Sequence, residues 1–368
     1  MNDFDVLVVG AGPGGSIAAK EAAENGYKTC LLEKEKISID GRYKACGGAI
    51  AKELFEEIDY PEEKLSRKFN SLELHHTNGE DFSKKGEGAV IWRNVFDKYL
   101  SDIAVKSGAK LKDNEALVEI DKIDDLYKIT TNKNTFLAKY VIAADGVTSQ
   151  TLKKLDWPYF SRENLILTIT KEMKTTAQSI KEKLGDNSIH AFFGIKDLIT
   201  VGYAWLFPKA ETITVGWGNQ INLIKNSREE FKIFISLPFV KKALIDSELS
   251  IFQPHLIPVG LRPLIYKENV FAVGDSGGIV DPISGKGIPY AMMSGQIAVD
   301  TIKYCEQKGK PDKLGIQYEK RLDRKFLRIL KAKRVARDKI FQSDESLIRF
   351  LTLWEKYRSS EIVMRKLI

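Results

Sequence analysis

Residues 5–35 read DVLVVGAGPGGSIAAKEAAENGYKTCLLEKE, and no other stretch limits the possible folds as severely. Gly10, Gly12 and Gly15 form a G-x-G-x-x-G run that follows an apolar strand at 4–9 and opens an Ala-rich helix at 14–25. Glycines at this spacing permit a tight turn and a close backbone approach to phosphate, while the helix start aims N–H groups and its positive end at an anion. A second strand at 28–33 ends in Glu33, eighteen residues past Gly15, where a carboxylate accepts hydrogen bonds from an adenosine ribose. Strand, glycines, helix, strand and acid, in that order, predict a parallel α/β dinucleotide fold. An acid at that position disfavours a 2′-phosphate, which restricts the nucleotide to NAD or FAD.

The chain has 368 residues with 43% hydrophobic content, more than one simple domain usually holds, so two interwoven domains are expected. After the opening unit come a Gly-rich loop to residue 48, a helix at 94–107 and short strands over 115–143. Alternation of apolar and polar residues returns at 164–173, 189–195, 199–207 and 212–219, which predicts an antiparallel sheet inserted as a second domain. Beyond residue 260 an apolar strand at 270–274 and a helix from Ile288 return the chain to the first domain, and the carboxyl end reads as helical.

Charge is unevenly placed: the net is +7, and residues 313–368 alone carry 16 Lys and Arg against 7 Asp and Glu. In that tail Leu322, Phe326, Ile329, Leu330, Val335 and Ile340 fall on one face of a basic amphipathic helix. Two readings stay open for it: a cover helix with a solvated charged face, or peripheral contact with anionic lipid or a phosphorylated substrate. Nucleic acid is not an expected partner, because aromatics are not interleaved with the basic residues. No run approaches the roughly 18 apolar residues that span a bilayer, and Asp3 and Asp5 stand where a signal peptide carries basic residues. Cys30, Cys46 and Cys305 form neither a disulfide framework nor a metal spacing. The expectation is a cytoplasmic chain with reduced thiols and no metal site.

Three further stretches choose between the two nucleotides. VIWRNVFDKYL at 90–100 sets Arg93 at a helix start, and VIAADGVTS at 141–149 is an apolar strand ending in Asp145-Gly146. VFAVGDSGGIVDPISGKGIPYAMMSGQIA at 270–298 is a strand ending in Gly274-Asp275, then a loop, then Gly285 and Gly287 at a helix start with Pro289 in its first turn. This arrangement closely resembles the FAD-binding domain of the glutathione-reductase-like flavoproteins, in the branch shared by aromatic hydroxylases and geranylgeranyl reductases. The resemblance implies an architecture similar to p-hydroxybenzoate hydroxylase, mixed α/β with an inserted antiparallel substrate sheet and a helical C-terminus. It implies that residues 1–70, 90–155 and 262–310 bind FAD, that 71–89 and 156–261 bind substrate, and that 311–368 form a basic helical segment. It further implies that Asp275 holds the ribityl chain, that Arg93 lies against the cofactor and that Asp145-Gly146 supports the fold near the pyrophosphate. Gly14, Ala45, Cys46, Gly47, Leu117 and Ile288 complete the implied cofactor surface. The helix from Ile288 would turn its positive end toward the flavin N1–C2=O edge, where charge collects on reduction.

YAWLFPKAETITVGWG at 203–218 places Tyr203, Trp205 and Phe207 on one strand face, closes with Pro208 and reaches Gly216 and Gly218. The pattern Y-x-W-x-F-P, then seven residues, then G-x-G resembles the motif of the geranylgeranyl reductase family, where it lines the cavity for an isoprenoid chain. The two glycines are read as leaving room for a thin hydrocarbon, and the aromatic sheet as a roof over the flavin. A second likeness lies in YKACGGAI at 43–50, similar to the Cys-Gly-Gly loop of the same family. Cys46 is either a small filler or a group that touches the ring. Departures from the family are Ala45 and Thr200, where relatives often carry Pro.

The resemblance implies an FAD-dependent reductase that saturates isolated C=C bonds of geranylgeranyl chains in an archaeal-type ether lipid or its precursor. Cys46 and Tyr203 are candidate proton donors beside water. Reduced ferredoxin or NAD(P)H is the expected electron donor, since no second nucleotide fold is evident. His75, His76, His190 and His255 lack motif context and are expected to be structural or exposed. Two alternatives stay open: a flavin monooxygenase or halogenase, for which W-x-W-x-I-P is a near neighbour of the aromatic motif, and a lipid carrier that keeps the flavin fold.

Overall fold

The computed structural model describes residues 2–41, 43–194, 201–357 and 362–363. Its strands fall in alternating blocks along the chain. The first block is β1 (Phe4–Val9) and β2 (Thr29–Leu32), and the second is β3 (Ala49–Ala51), β4 (Arg67–His76) and β5 (Asp81–Val90). The third holds β6 (Lys110–Lys112), β7 (Leu117–Ile123), β8 (Leu126–Thr131) and β9 (Thr135–Ala143). The fourth holds β10 (Leu165–Lys174), β11 (Ser188–Phe193), β12 (Gly202–Pro208), β13 (Thr212–Gln220) and β14 (Glu248–Pro258), and the last β15 (Tyr266–Lys267) and β16 (Val270–Ala272). The odd blocks build one sheet and the even blocks another, so the chain forms two compact units: 1–43, 94–164 and 257–334, then 44–93, 165–256 and 335–368.

The first unit has the strand order β15-β16-β9-β1-β2-β6, with β7 and β8 added antiparallel beside β9. Its centre is parallel, β16, β9, β1, β2 and β6 all running one way. A parallel sheet is covered on both faces, which is why β1 is apolar at nearly every position rather than at alternate ones. Val6 and Val8 pack with Ala18, Ala19 and Ala22 of the helix Pro13–Glu24 and with Val299 and Ile302 of the helix Ile288–Gln307. Leu7 and Val9 pack on the other side with Ile120, Ile129 and Trp157. The two helices touch backbone to backbone: a Cβ built on Gly295 would lie 2.2 Å from the Gly14 carbonyl oxygen.

The second unit has the order β14-β10-β13-β12-β11-β4-β5-β3. One face carries Ile169, Phe192, Ala204, Leu206, Val215 and Trp217 against the helices Ala177–Leu184, Ser227–Ser236 and Pro238–Ala243. The period of two sends Tyr203, Trp205 and Phe207 to the opposite face.

Several expectations are corrected. The second sheet is not wholly antiparallel, because β11 runs parallel to β4. Residues 44–70, expected with the nucleotide domain, belong to the second unit because β3 and β4 both pair with β5. The tail is not a separate segment: it divides between the two units at residue 334. Within it Leu322, Phe326, Leu330 and Ile340 are buried as expected, but Ile329 and Val335 are exposed. A π-helical turn at Asp323–Leu327 adds a residue to the helix and rotates the stripe, so Leu327, Ala336 and even Arg337 are buried instead. The expected strand limits at 195 and 199, and Thr200, lie outside the described residues.

Close packing of the two first-unit helices leaves no space for a methyl group. Gly295→Ala is expected to destabilise that unit by about 1–3 kcal/mol through overpacking, read as a lower urea midpoint with an unchanged slope.

Candidate active site

The carboxyl ends of the parallel strands gather most of the nucleotide residues, as open α/β sheets require. The glycine run follows β1, Glu33 follows β2, Asp145-Gly146 follows β9, and Gly274-Asp275 follows β16. Gly10 takes φ +101°, and a Cβ there would lie 2.5 Å from the Ala144 carbonyl oxygen. A Cβ on Gly15 would lie 1.8 Å from the Gly10 carbonyl oxygen, and one on Gly14 would lie 2.9 Å from that of Ala291. Gly12 differs: a Cβ on it would meet nothing within 4 Å.

Gly12 is the N-cap of the helix Pro13–Glu24, and no side chain caps that end. Gly287 is likewise the N-cap of the helix Ile288–Gln307, again without a side-chain cap and with Pro in its first turn. Both helices therefore present N–H groups that a ligand with anionic oxygens can satisfy. Glu33 is buried, its Oε2 accepting from Ala11 N–H at 2.9 Å and its Oε1 from Glu35 N–H at 3.1 Å. Each oxygen keeps a lone pair for a ribose hydroxyl. An open glycine cradle, an uncapped helix end and an oriented carboxylate suit the adenosine diphosphate half of FAD.

Asp145 turns inward. It accepts from Ser149 Oγ at 2.5 Å and from Thr151 N–H and Oγ1 at 2.9 Å each, which anchors the helix Gln150–Lys154; burial raises its pKa. Gly146, at φ +83°, donates its N–H to Ser276 Oγ at 2.9 Å and so ties this turn to the one bearing Asp275. A Cβ on Gly287 would lie 3.4 Å from Asp275 Oδ1, and Gly285 makes its turn at φ +67°. Leu117 opens β7 and packs on the second core cluster, while Arg93 opens the helix Arg93–Lys106.

In the second unit the aromatic row is continuous. Phe193 stacks on Tyr203 at 5.5 Å between ring centroids, Tyr203 is 5.7 Å from Trp205, and Trp205 is 6.2 Å from Phe207. Across the ladder Tyr203 faces Gly218, Trp205 faces Gly216 and Phe207 faces Thr214. The reading of Gly216 as empty room is corrected: a Cβ there would lie 1.9 Å from the Trp205 ring, so the indole itself occupies the space. Gly218 is tight for a different reason, with Thr168 and Ile166 methyls 3.0 and 3.2 Å from its would-be Cβ. Pro208 is buried at the end of the strand.

The loop holding Ala45, Cys46 and Gly47 packs on this row. A Cβ on Gly47 would lie 2.7 Å from the Phe207 ring and 3.4 Å from Trp205 Nε1, and the Cys46 sulfur accepts from Gly48 N–H at 3.3 Å. Of the histidines, His75 and His190 stack and hydrogen-bond to each other at 3.0 Å, with His190 Nε2 at 2.9 Å from the Leu184 carbonyl oxygen. His190 pairs with Leu206, on the face opposite the aromatics.

Sequence reasoning missed a buried charge cluster at the end of the row. Lys209 Nζ donates to Glu172 Oε1 at 2.8 Å and Thr214 Oγ1 at 2.6 Å, and lies 3.7 Å from the centroid of the Trp92 ring. The alternation of Thr168, Thr170 and Glu172 within an otherwise apolar strand was the available signal, since all three share the aromatic face and are buried.

The FAD binding domain family matches residues 3–296. A digeranylgeranylglycerophospholipid reductase of Methanococcus vannielii is 30% identical over 342 residues, covering 89% of this chain and 84% of that one. The enzyme of the same description from Methanocaldococcus jannaschii is 32% identical over 311 residues, covering 81% and 76%. Among solved structures, a geranylgeranyl bacteriochlorophyll reductase-like protein from Thermoplasma acidophilum aligns with a TM-score of 0.85 at 26% identity, over 99% of this chain and 95% of that one. A flavin-dependent brominase aligns with a TM-score of 0.79 at 15% identity over 99% and 93%, a likeness of fold alone. With its open glycine cradle, its aromatic strand and these relatives, the chain belongs to the FAD binding domain family and, within it, to the digeranylgeranylglycerophospholipid reductases.

Proposed function

We propose that this protein is an FAD-dependent reductase that saturates isolated C=C bonds in the geranylgeranyl chains of an ether lipid or its precursor. The observation that carries the substrate reading is the row of Tyr203, Trp205 and Phe207 on one face of the second sheet, with Gly47 admitting the ring of Phe207. Such a surface binds a long apolar chain by contact area and offers it few polar groups to fix on. The relatives' description supplies the chain's identity.

Bound FAD, when reduced, supplies the hydride. An isolated alkene has no carbonyl to take up charge, so a proton must reach the second carbon in close concert within a dry, shaped site. Trp205 and Phe207 exclude water from the chain, and Tyr203 and Cys46 are the proposed donors from this protein, with ordered water as the third. Glu33 and the backbone around Gly12 hold the nucleotide, Asp275 the ribityl chain, and Arg93 lies against the cofactor. Electrons come from reduced ferredoxin or NAD(P)H.

A lipid substrate calls for contact with a bilayer. Among the described residues no helix is long and apolar enough to cross a membrane. We assign peripheral contact to the carboxyl-terminal helices, where Ile329 is exposed among exposed Arg324, Lys325, Arg328 and Lys331.

Anaerobic incubation of dithionite-reduced protein with a geranylgeranylated glycerophospholipid is expected to add two hydrogens per double bond, read by mass spectrometry. An unchanged lipid mass, together with oxygen-dependent consumption of NADPH on an aromatic substrate, would instead establish the monooxygenase or halogenase. For the cofactor, Gly12→Ala is expected to raise the FAD dissociation constant about tenfold by crowding the pyrophosphate. The melting temperature of the flavin-free protein should stay unchanged, because the new methyl meets no protein atom.

A further inference from the structure

The charge cluster at the end of the aromatic row has no part in holding FAD or in binding a hydrocarbon. Lys209 and Glu172 are almost fully buried, with side-chain exposures of 2% and 0%. Two of the ammonium's three N–H groups go to Glu172 and Thr214, and the ammonium sits against the Trp92 ring. Thr214 Oγ1 in turn lies 3.1 and 3.0 Å from the two Glu172 oxygens, so its own hydrogen serves the carboxylate. Burial lowers the lysine's pKa, and Glu172 opposes that shift.

The cluster adjoins the Cys46-Gly47-Gly48 loop on two sides. Gly48 hydrogen-bonds to Ile91 through its carbonyl oxygen at 3.0 Å, and Ile91 precedes the Trp92 on which Lys209 rests. Gly47 lies on Phe207, two residues before Lys209. Cys46 is within electrostatic reach of the ammonium. Trp205 Nε1 is buried there too, 3.4 Å from where a side chain on Gly47 would begin, and has no hydrogen-bond partner among the described residues. A partly exposed sulfur, a fixed cation and an indole N–H thus converge on the loop-side end of the aromatic row.

We propose that Lys209 is a positioning residue: its buried ammonium, clamped by Glu172, Thr214 and Trp92, sets a positive potential at the Cys46 sulfur and locks the Cys46-Gly47-Gly48 loop to the aromatic strand. Through this potential the thiol is held ready to give up its proton, and the ammonium stabilises the charge left behind until solvent returns a proton. The consequence for alkene reduction rests on the reductase reading. The electrostatic core of the inference does not.

The test compares alkylation of Cys46 by anionic iodoacetate and neutral iodoacetamide, with peptide mapping to confirm the site; Cys30 and Cys305 are fully buried and stay silent. Lys209→Met alone orphans Glu172 and risks misfolding, so the working variant is the double change Lys209→Met with Glu172→Gln, which removes both charges together. The iodoacetate-to-iodoacetamide rate ratio is expected to fall about threefold in the double variant, because an anionic reagent is drawn by the lost charge and a neutral one is not. A ratio equal to that of the unaltered protein, even with both rates changed, would reduce Lys209 to a packing role and overturn the proposal. In turnover the same variant should lower kcat and leave KM for the lipid unchanged. A protein that reduces no lipid at all would sink the reductase reading and leave the alkylation ratio to decide this one.

Discussion

The contact between Gly15 and the Gly10 carbonyl oxygen governs the nucleotide end of the molecule. A Cβ on Gly15 would begin 1.8 Å from that oxygen, well inside any tolerable separation, so the turn between β1 and its helix closes only with hydrogen in that place. Closing it sets the helix axis over the sheet, which lets Gly14 and Gly295 bring a second helix into backbone contact. Two uncapped helix ends, Gly12 and Gly287, result from this one compaction. The same three glycines that exclude side chains leave Gly12 alone facing open space. Tightness on one side of the turn and vacancy on the other are what distinguish a phosphate cradle from an ordinary packed bend.

The second sheet divides its labour by the period of two. Ala204, Leu206, Val215 and Trp217 fill a core under three helices, while their neighbours Tyr203, Trp205 and Phe207 form a separate aromatic surface. Gly216 looked like a gap in that surface and proves to be a seat, since the Trp205 indole lies where its side chain would be. Seating the ring flat on a strand fixes its rotamer and makes the surface smooth at the cost of one side chain. Gly47 plays the same part for Phe207 from the opposite direction.

The nucleotide unit was almost wholly legible because its signals are local: a strand, its turn glycines and its helix lie within a few residues, and each obeys a steric rule. The aromatic row was legible for the same reason, as Tyr203, Trp205 and Phe207 alternate on one strand. What escaped depends on partners distant in sequence. The parallel pairing of β11 with β4 joins residues over a hundred positions apart, and the place of residues 44–70 follows from β3 and β4 pairing with β5 rather than from any composition shift. The tail's stripe was misread where a π-helical turn changes the period that such stripes are counted by. Lys209 read as a turn cation after Pro208, and only the ladder that sets Glu172 opposite Thr214 turns it inward.

That ion pair is hard to explain by stability. Taking an ammonium and a carboxylate out of water costs several kcal/mol each, and apolar residues of similar volume commonly serve as well or better in such places. Trp92 and Thr214 recover part of the cost, because a cation over an indole face and a hydroxyl bridging to the carboxylate satisfy groups that would otherwise be orphaned. Even so, a fold needing only to join β10, β12 and β13 could do it with the aliphatic side chains used on the other face of the same strands. A charge kept at this expense, on the face that carries the aromatics and beside the loop that carries the single partly exposed thiol, is accounted for by what it does to that thiol.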